Sequence, residues 1–383
     1  MAEQTHQEKS WYDEYWKILF IIPIILTVLC LIYLGYFYYQ HNSLFLKDVS
    51  LSGGTTITIQ GDIDAANLES SLKQKFPDVN FRKLTELNSG KLIATIIESS
   101  ASPEDLKAGI EQILGYKLTN ENSSIEFSGP TLSESFYSEL IKIVFLAFIL
   151  MALVIFLIFG ESNRIKAASI ALSLAAVKLT FPNKFSLTIV IIIVSIIALI
   201  YAFAKSKSKK EIIYPAIALI FLLLSLIYPI YYFIFLLAII LLLIYLTESL
   251  PSIAVIFAAF ADIVMALAII NLFEIKISAA GIAAFLMLIG YSVDTDILLT
   301  TRALKKKEGT LNERIYGAFK TGIFMTLAGL IAVLPAFFIV TGLPNSFRQI
   351  FLILALGLGA DIINTWLTNA SIIKWYCMRK KIK

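Results

Sequence analysis

The sequence predicts a multi-pass α-helical membrane protein with one small α+β domain outside the bilayer, and three observations carry that prediction. The 383 residues are 58% hydrophobic, with a mean hydropathy of +0.80, a composition foreign to soluble globular domains. Several apolar runs reach the ~20 residues that cross a hydrocarbon core of about 30 Å. One block alone, from Asp48 to Pro130, turns polar. The net charge is only +4, so the placement of the cations says more than their sum.

In chain order, residues 1–17 mix acids and bases and lead into a first span over 18–39, with Trp16, Tyr33, Tyr36, Tyr38 and Tyr39 as aromatic anchors. No A-x-A-like site follows, so the span reads as a retained helix. Within 48–130, Val49–Ile59 alternates as a strand, and 64–76 places Leu68, Leu72 and Phe76 on one helical face. Val79–Leu87 and Lys91–Ile97 read as strands joined by a hairpin turn at Asn88-Ser89-Gly90. Ser102 opens a second helix as N-cap, with Pro103 at the first position and Asp105 placed as in a capping box. A last strand covers 124–127. The order β-α-β-β-α-β is that of a ferredoxin-like domain.

A second span covers 141–159. The stretch 161–248 reads as four further crossings, over 165–181, 185–204, 212–228 and 230–246. The first of these is short and carries Lys178, so a helix lying along the surface is its alternative. Spans over 252–273, 278–300, 321–340 and 347–376 bring the total to ten, and 377–383 is a basic tail. Ten crossings put the Lys205–Lys210 cluster, the 302–320 loop and the tail on one side, which the positive-inside bias makes the cytoplasm. Both termini are then cytoplasmic in a cell-membrane protein, and residues 40–137 are extracytoplasmic.

Four acids fall inside apolar spans: Asp262, Asp294, Asp296 and Asp361. Each would cost roughly 2.5–3.5 kcal/mol facing lipid on insertion scales, so they face protein or water. Asp294 and Asp296 stand about 200° apart around a helix and form no shared pair. Asp294 shares a face with Gly290, Tyr291, Leu298 and Thr301, and Asp296 with Ser292 and Thr300. Asp361, Asn364, Thr365, Thr368 and Asn369 make a polar stripe along the last helix. The bland reading is that one acid hydrogen-bonds a neighbouring helix while the other reaches cytoplasmic water or Arg302. The last four spans hold no mid-membrane Lys or Arg. A carboxyl buried without a cation can exchange a proton near neutral pH, so a proton or cation relay through the four acids is the functional reading. Gly281, Gly290, Gly322, Gly329, Gly357 and Gly359 are read as points of close helix approach.

Ser52-Gly53-Gly54-Thr55 lacks the helix and lysine of a phosphate loop. His6 and His41 leave no histidine metal site, and Cys30 and Cys377, at opposite ends of the chain, make no disulfide framework. No nucleophile–base or nucleotide-binding pattern is present. The expectation is a non-enzyme without cofactor, metal or nucleic-acid partner.

Four stretches resemble the SecF family of protein-export membrane subunits, in its archaeal form. Asp48-Val49-Ser50-Leu51-Ser52-Gly53-Gly54-Thr55 resembles the lead into the family's external domain, and Phe127-Ser128-Gly129-Pro130-Thr131-Leu132 its exit. Asp262 falls at the family's third-helix Asp, and Gly290-Tyr291-Ser292-Val293-Asp294-Thr295-Asp296, followed by Arg302, resembles its fourth-helix signature. The resemblance implies an RND-like six-helix core, leaving 161–248 as an insertion of about four helices. It implies a SecD-like partner, contact with a SecY-type translocon channel, a translocating polypeptide and membrane lipid, and export driven by proton motive force. Against the SecD pattern Val-Asp-Ala-Asn, Asp294 is the first choice for the relay and Asp296 the second. The family's frequent His before the third-helix Asp is Ala261 here. A proton-coupled RND-type small-molecule exporter and a passive stabiliser of the translocon are the alternatives.

Overall fold

The structure, a computed structural model, describes residues 11–61, 63, 65–85, 92–204, 208–227, 232–305, 309–339 and 345–381. The turn expected at Asn88-Ser89-Gly90 lies outside them. Helices α1 (Trp11–Leu19) and α2 (Ile21–His41) follow each other with only Phe20 between, and Pro23 sits in the first turn of α2, where its missing N–H is harmless.

The expected first strand begins differently. Val49–Ser52 coil into a helical turn, α3, because Asp48 accepts a hydrogen bond from Val49 N (2.7 Å) and caps it. Strand β1 (Gly54–Gln60) starts only after the two glycines. Gly53 and Gly54 take φ of +82° and +135°. A Cβ at Gly53 would lie 2.6 Å from Pro130 Cα, and one at Gly54 would strike the Ser99 carbonyl. The glycine pair is thus fixed by a backbone crossing, which no side chain fits.

After β1 come α4 (Ala65–Lys75), β2 (Asn80–Thr85), β3 (Leu92–Ser99), α5 (Pro103–Leu114) and β4 (Ser123–Ser128). The sheet runs β2-β3-β1-β4 and every pair is antiparallel. Leu68 and Leu72 of α4 and Leu106 and Ile110 of α5 pack on Ile57, Ile59 and Ile97. Ser102 Oγ accepts from Asp105 N (3.2 Å), so α5 starts at the expected cap. Among the described residues strand β4 hydrogen-bonds only to β1, with its outer edge open.

Helix α6 (Pro130–Phe159) begins at Pro130, a natural first helical residue, and so extends well before the apolar span itself. The remaining helices are α7 (Asn163–Thr180), α8 (Phe185–Phe203), α9 (Lys209–Ile227), α10 (Phe233–Glu248), α11 (Leu250–Leu272), α12 (Ala279–Lys305), α13 (Leu311–Ile339), α14 (Asn345–Ile363), a π-helical turn (Asn364–Asn369) and α15 (Ala370–Arg379). Among the described residues eight helices are long and apolar enough to cross a membrane. Of the ten expected crossings, α10 is too short and α7 is not among the eight.

Helix α7 does not lie on the surface. Ala168, Ala171, Leu172, Ala175 and Ala176 are fully buried in a cluster with residues of α6, α8, α9 and α10. Its small side chains lower its hydropathy and at the same time let its neighbours close in. Lys178 is satisfied at the α7–α8 turn, donating to Pro182 O (2.5 Å) and Thr188 Oγ1 (2.9 Å).

Two ends of the bundle are tied by different contacts. At one, Lys380 pairs with Glu161 (3.1 Å), Arg164 with Glu211 (2.7 Å) and Lys210 with Glu248 (2.6 Å). The start of α9 and the ends of α10 and α15 therefore share one end. At the other end the α2–α3 linker meets the α11–α12 loop: Lys47 bridges Ile277 in parallel, and Asp48 N donates to Ile277 O (2.9 Å).

Candidate functional site: a buried carboxylate cluster

Three carboxyl groups meet inside the bundle, each from a different helix. Asp262 of α11, Asp296 of α12 and Asp361 of α14 are all fully buried. Among the described residues none is ion-paired with a Lys or Arg, so hydroxyl and amide groups must satisfy them. Asp262 is held on both oxygens, by Ser292 Oγ on Oδ2 (2.5 Å) and Asn364 Nδ2 on Oδ1 (2.7 Å). Asp361 accepts from Thr295 Oγ1 (3.0 Å) and Thr326 Oγ1 (3.1 Å). Asp296 Oδ1 accepts from Asn369 Nδ2 (2.7 Å). Its Oδ2 is buried and has no hydrogen-bond partner among the described residues.

Thr365 stands between two of the acids. Its Oγ1 lies 2.9 Å from Asp296 Oδ1 and 2.8 Å from Asp361 Oδ1. A hydroxyl has one proton and two acceptor lone pairs. It can donate to one carboxylate, and the second contact is a hydrogen bond only when that carboxyl brings its own proton. The pair is best satisfied with one proton between the two acids.

The sequence stripe explains the last-helix contribution. Asp361, Asn364, Thr365, Thr368 and Asn369 are all buried along one side of that helix. The segment Asn364–Asn369 forms a π-helical turn, a local irregularity often found at functional positions. Close packing comes from glycine: a Cβ at Gly322 would lie 2.5 Å from the Trp366 ring, and one at Gly329 3.2 Å from Leu358. Leu288 fills the space beside Gly357, and Gly281 faces Ile277 and Gln349.

Other expected residues stand elsewhere. Asp294 is exposed on the outer side of α12, together with Gly290 and Tyr291, and a Cβ at Gly290 or Gly359 would meet nothing. The turn of α12 that buries Ser292, Thr295 and Asp296 necessarily points Asp294 away. Arg302 reaches neither acid; it donates to Gly317 O (2.5 Å) and Thr321 Oγ1 (3.0 Å). Thr295 and Thr326 were not singled out from the sequence. Isolated hydroxyls on membrane helices are too common to signal a site, although Thr295 lies between two acids.

A second polar group lies in the α+β unit. Arg82 holds Glu98 (2.8 Å) and lies 3.7 Å from Asp48. Burial and the neighbouring Asp48 carboxylate push Glu98 up to about 7, against the pull of Arg82 and Lys276.

Residues 222–379 match the family model described as the C-terminal part of the protein-export membrane proteins SecD/SecF. The match begins within α9, so it reaches back into the expected insertion 161–248 and leaves the Asp48–Thr55 and Phe127–Leu132 motifs outside it. The protein-export membrane protein SecF of Methanothermobacter thermautotrophicus is 50% identical over 133 residues, 34% of this chain and 46% of the relative. That of Methanocaldococcus jannaschii is 46% identical over 137 residues, 35% of this chain and 49% of the relative. The chain spans about half the length of the curated relatives it matches. The crystal structure of SecDF, a translocon-associated membrane protein from Thermus thermophilus, aligns over 97% of this chain and 39% of that one, with a TM-score of 0.51 and 12% identity. It shares the fold.

Proposed function

Since residues 222–379 match the SecD/SecF family model, we propose that this chain is a SecF-type subunit assisting protein translocation across the cell membrane at a Sec-type channel, driven by proton motive force. The observation that carries the driving step is the Thr365 hydroxyl set between the Asp296 and Asp361 carboxyls in a buried cluster with no Lys or Arg partner among the described residues. Asp296, with one oxygen free of any donor among the described residues, is the group that takes up and gives off the proton. Asp361 shares it through Thr365. Asp262, held on both oxygens, anchors α11 to α12 and the last helix.

In this reading the ferredoxin-like domain is extracytoplasmic, and the end bearing Lys210, Arg164 and Lys380 is cytoplasmic. An outward-facing carboxylate on a membrane helix is costly in lipid, so Asp294, Tyr291 and Gly290 face a partner, for which a SecD-like subunit is the natural candidate. The open edge of β4 suits pairing with an extended segment of that partner or of the translocating polypeptide. The chain performs no covalent chemistry of its own. The reading is tested with inverted membrane vesicles, comparing export with and without an imposed proton gradient. Asp296→Asn removes the gradient-dependent part; gradient-dependent export at the unmodified rate in that variant refutes the relay.

The passive alternative draws on the saturation of Asp262, which by itself is what packing needs. It does not account for the unpaired oxygen of Asp296.

A further inference from the structure

We infer that Gln349 is the positioning residue that couples α14, and with it Asp361, to the external domain. Gln349 is 4% exposed and spends its amide entirely on the α11–α12 loop. Its Oε1 accepts from Ser278 N (2.9 Å) and Ser278 Oγ (2.7 Å), and its Nε2 donates to Lys276 O (2.7 Å). Between those two residues, Ile277 gives both main-chain groups to the linker that enters the domain. Ile277 N donates to Leu46 O (2.7 Å), and Asp48 N donates to Ile277 O (2.9 Å). Asp48 caps α3 and stands beside Arg82, which holds Glu98 of β3. Hydrogen bonds, with the Asp48–Arg82 ion pair as one link, therefore connect α14 to the sheet.

The stiffness of the connection is set by where the last helix is regular. From Gln349 to Asp361 it is unbroken α-helix, a rise of about 18 Å. The π-helical turn starts at Asn364, on the far side of Asp361, and such turns are the easier part of a helix to rearrange. A shift at Asp361 is carried toward Gln349 rather than absorbed. Slack is small there, since a Cβ on Gly281 would lie 3.1 Å from Gln349 Oε1 and 2.9 Å from Ile277 Cγ2. If Gln349 served only to satisfy the loop's polar groups, its loss would loosen the loop without disconnecting it from Asp361.

The test uses the full chain in detergent or nanodiscs and reads amide hydrogen exchange, not export; it takes from the proton-relay reading only the choice of Asp361 as the point of perturbation. Asp361→Asn is expected to change exchange at the Asp48 and Ile277 amides by about threefold or more, within the range of coupling that contiguous networks carry. Adding Gln349→Leu is expected to abolish that response while the amides of α14 still respond. Unchanged exchange at Asp48 and Ile277 in Asp361→Asn, or a response of the same size in the double variant, overturns the proposal. Gln349→Glu keeps the acceptor for Ser278 but loses the donor to Lys276 O, and is expected to halve the response. Should Gln349→Leu not fold, a full response in Gln349→Glu overturns the proposal instead. Loss of gradient-dependent export with junction exchange unaffected would leave the relay standing and this coupling refuted.

Discussion

Asn364 Nδ2 donates to Asp262 Oδ1 at 2.7 Å, joining two residues 102 apart in the chain. The bond ties α11 to the start of the π-helical turn, and Ser292 completes Asp262 from α12. Hydrogen bonds between membrane helices are individually modest, so a double-mutant cycle of Asp262→Ala and Asn364→Ala should give a coupling of about 0.5–2 kcal/mol. Unfolding in detergent measures it. A coupling indistinguishable from zero would mean that the contact does not organise the bundle.

Asp296 and Asp294 should separate cleanly. In Asp296→Asn the side-chain carbonyl still accepts from Thr365 and Asn369, and the new amide occupies the place of the unpartnered oxygen. The fold is expected to persist, with unfolding free energy within about 1 kcal/mol of the parent, while gradient-dependent export disappears. Asp294→Asn should leave gradient dependence intact and lower recovery of a SecD-like subunit on co-purification. The reverse pattern would return Asp294 to the relay.

The sequence made the acids and the last-helix stripe legible because a carboxylate in an apolar run is a large departure from expectation and the stripe repeats at helical spacing. It also showed that Asp294 and Asp296 point apart. It did not show which one faces inward, because that depends on how α12 is rotated against α11, α13 and α14. Family register favoured Asp294; the burial of Ser292 and Thr295 turns Asp296 inward. Helix α7 was obscured by a related ambiguity. Alanine and serine lower the hydropathy of 163–180, yet those same small residues mark the most enclosed helix of its block. In the α+β domain, Val49–Ser52 fits strand alternation as well as a capped turn, and only the contact from Asp48 distinguishes them.

The glycines divide into two classes with opposite expected effects. At Gly322 a Cβ would press on the rigid Trp366 ring at 2.5 Å, and overpacking of this kind costs typically 1–3 kcal/mol. At Gly290 a Cβ meets nothing, and replacing a helical glycine by alanine gains roughly 0.5–1 kcal/mol. Thermal unfolding should therefore place Gly322→Ala below the parent and Gly290→Ala at or above it. Equal midpoints for the two would show that α13 and the last helix do not approach as described.

Glu98 gives the α+β domain a pH dependence whose sign can be worked out. Desolvation, then the Asp48 charge, raise it from 4.5 to about 7, while Arg82 from β2 and Lys276 from the α11–α12 loop oppose the rise. Between those two values the folded domain binds more protons than the unfolded chain, so stability falls as pH increases. The contribution is fully present below about 4.5, declines as pH rises through about 7, and changes no further above it. Glu98→Gln, which cannot ionise, should flatten this slope while keeping an acceptor for Arg82. Chemical denaturation of the full chain, followed from a fluorophore on exposed Lys83→Cys across that pH window, measures it. A parent domain whose stability rises from acid to neutral pH, or a Glu98→Gln variant with the same slope as the parent, would contradict the burial of an ionisable Glu98 beside Asp48.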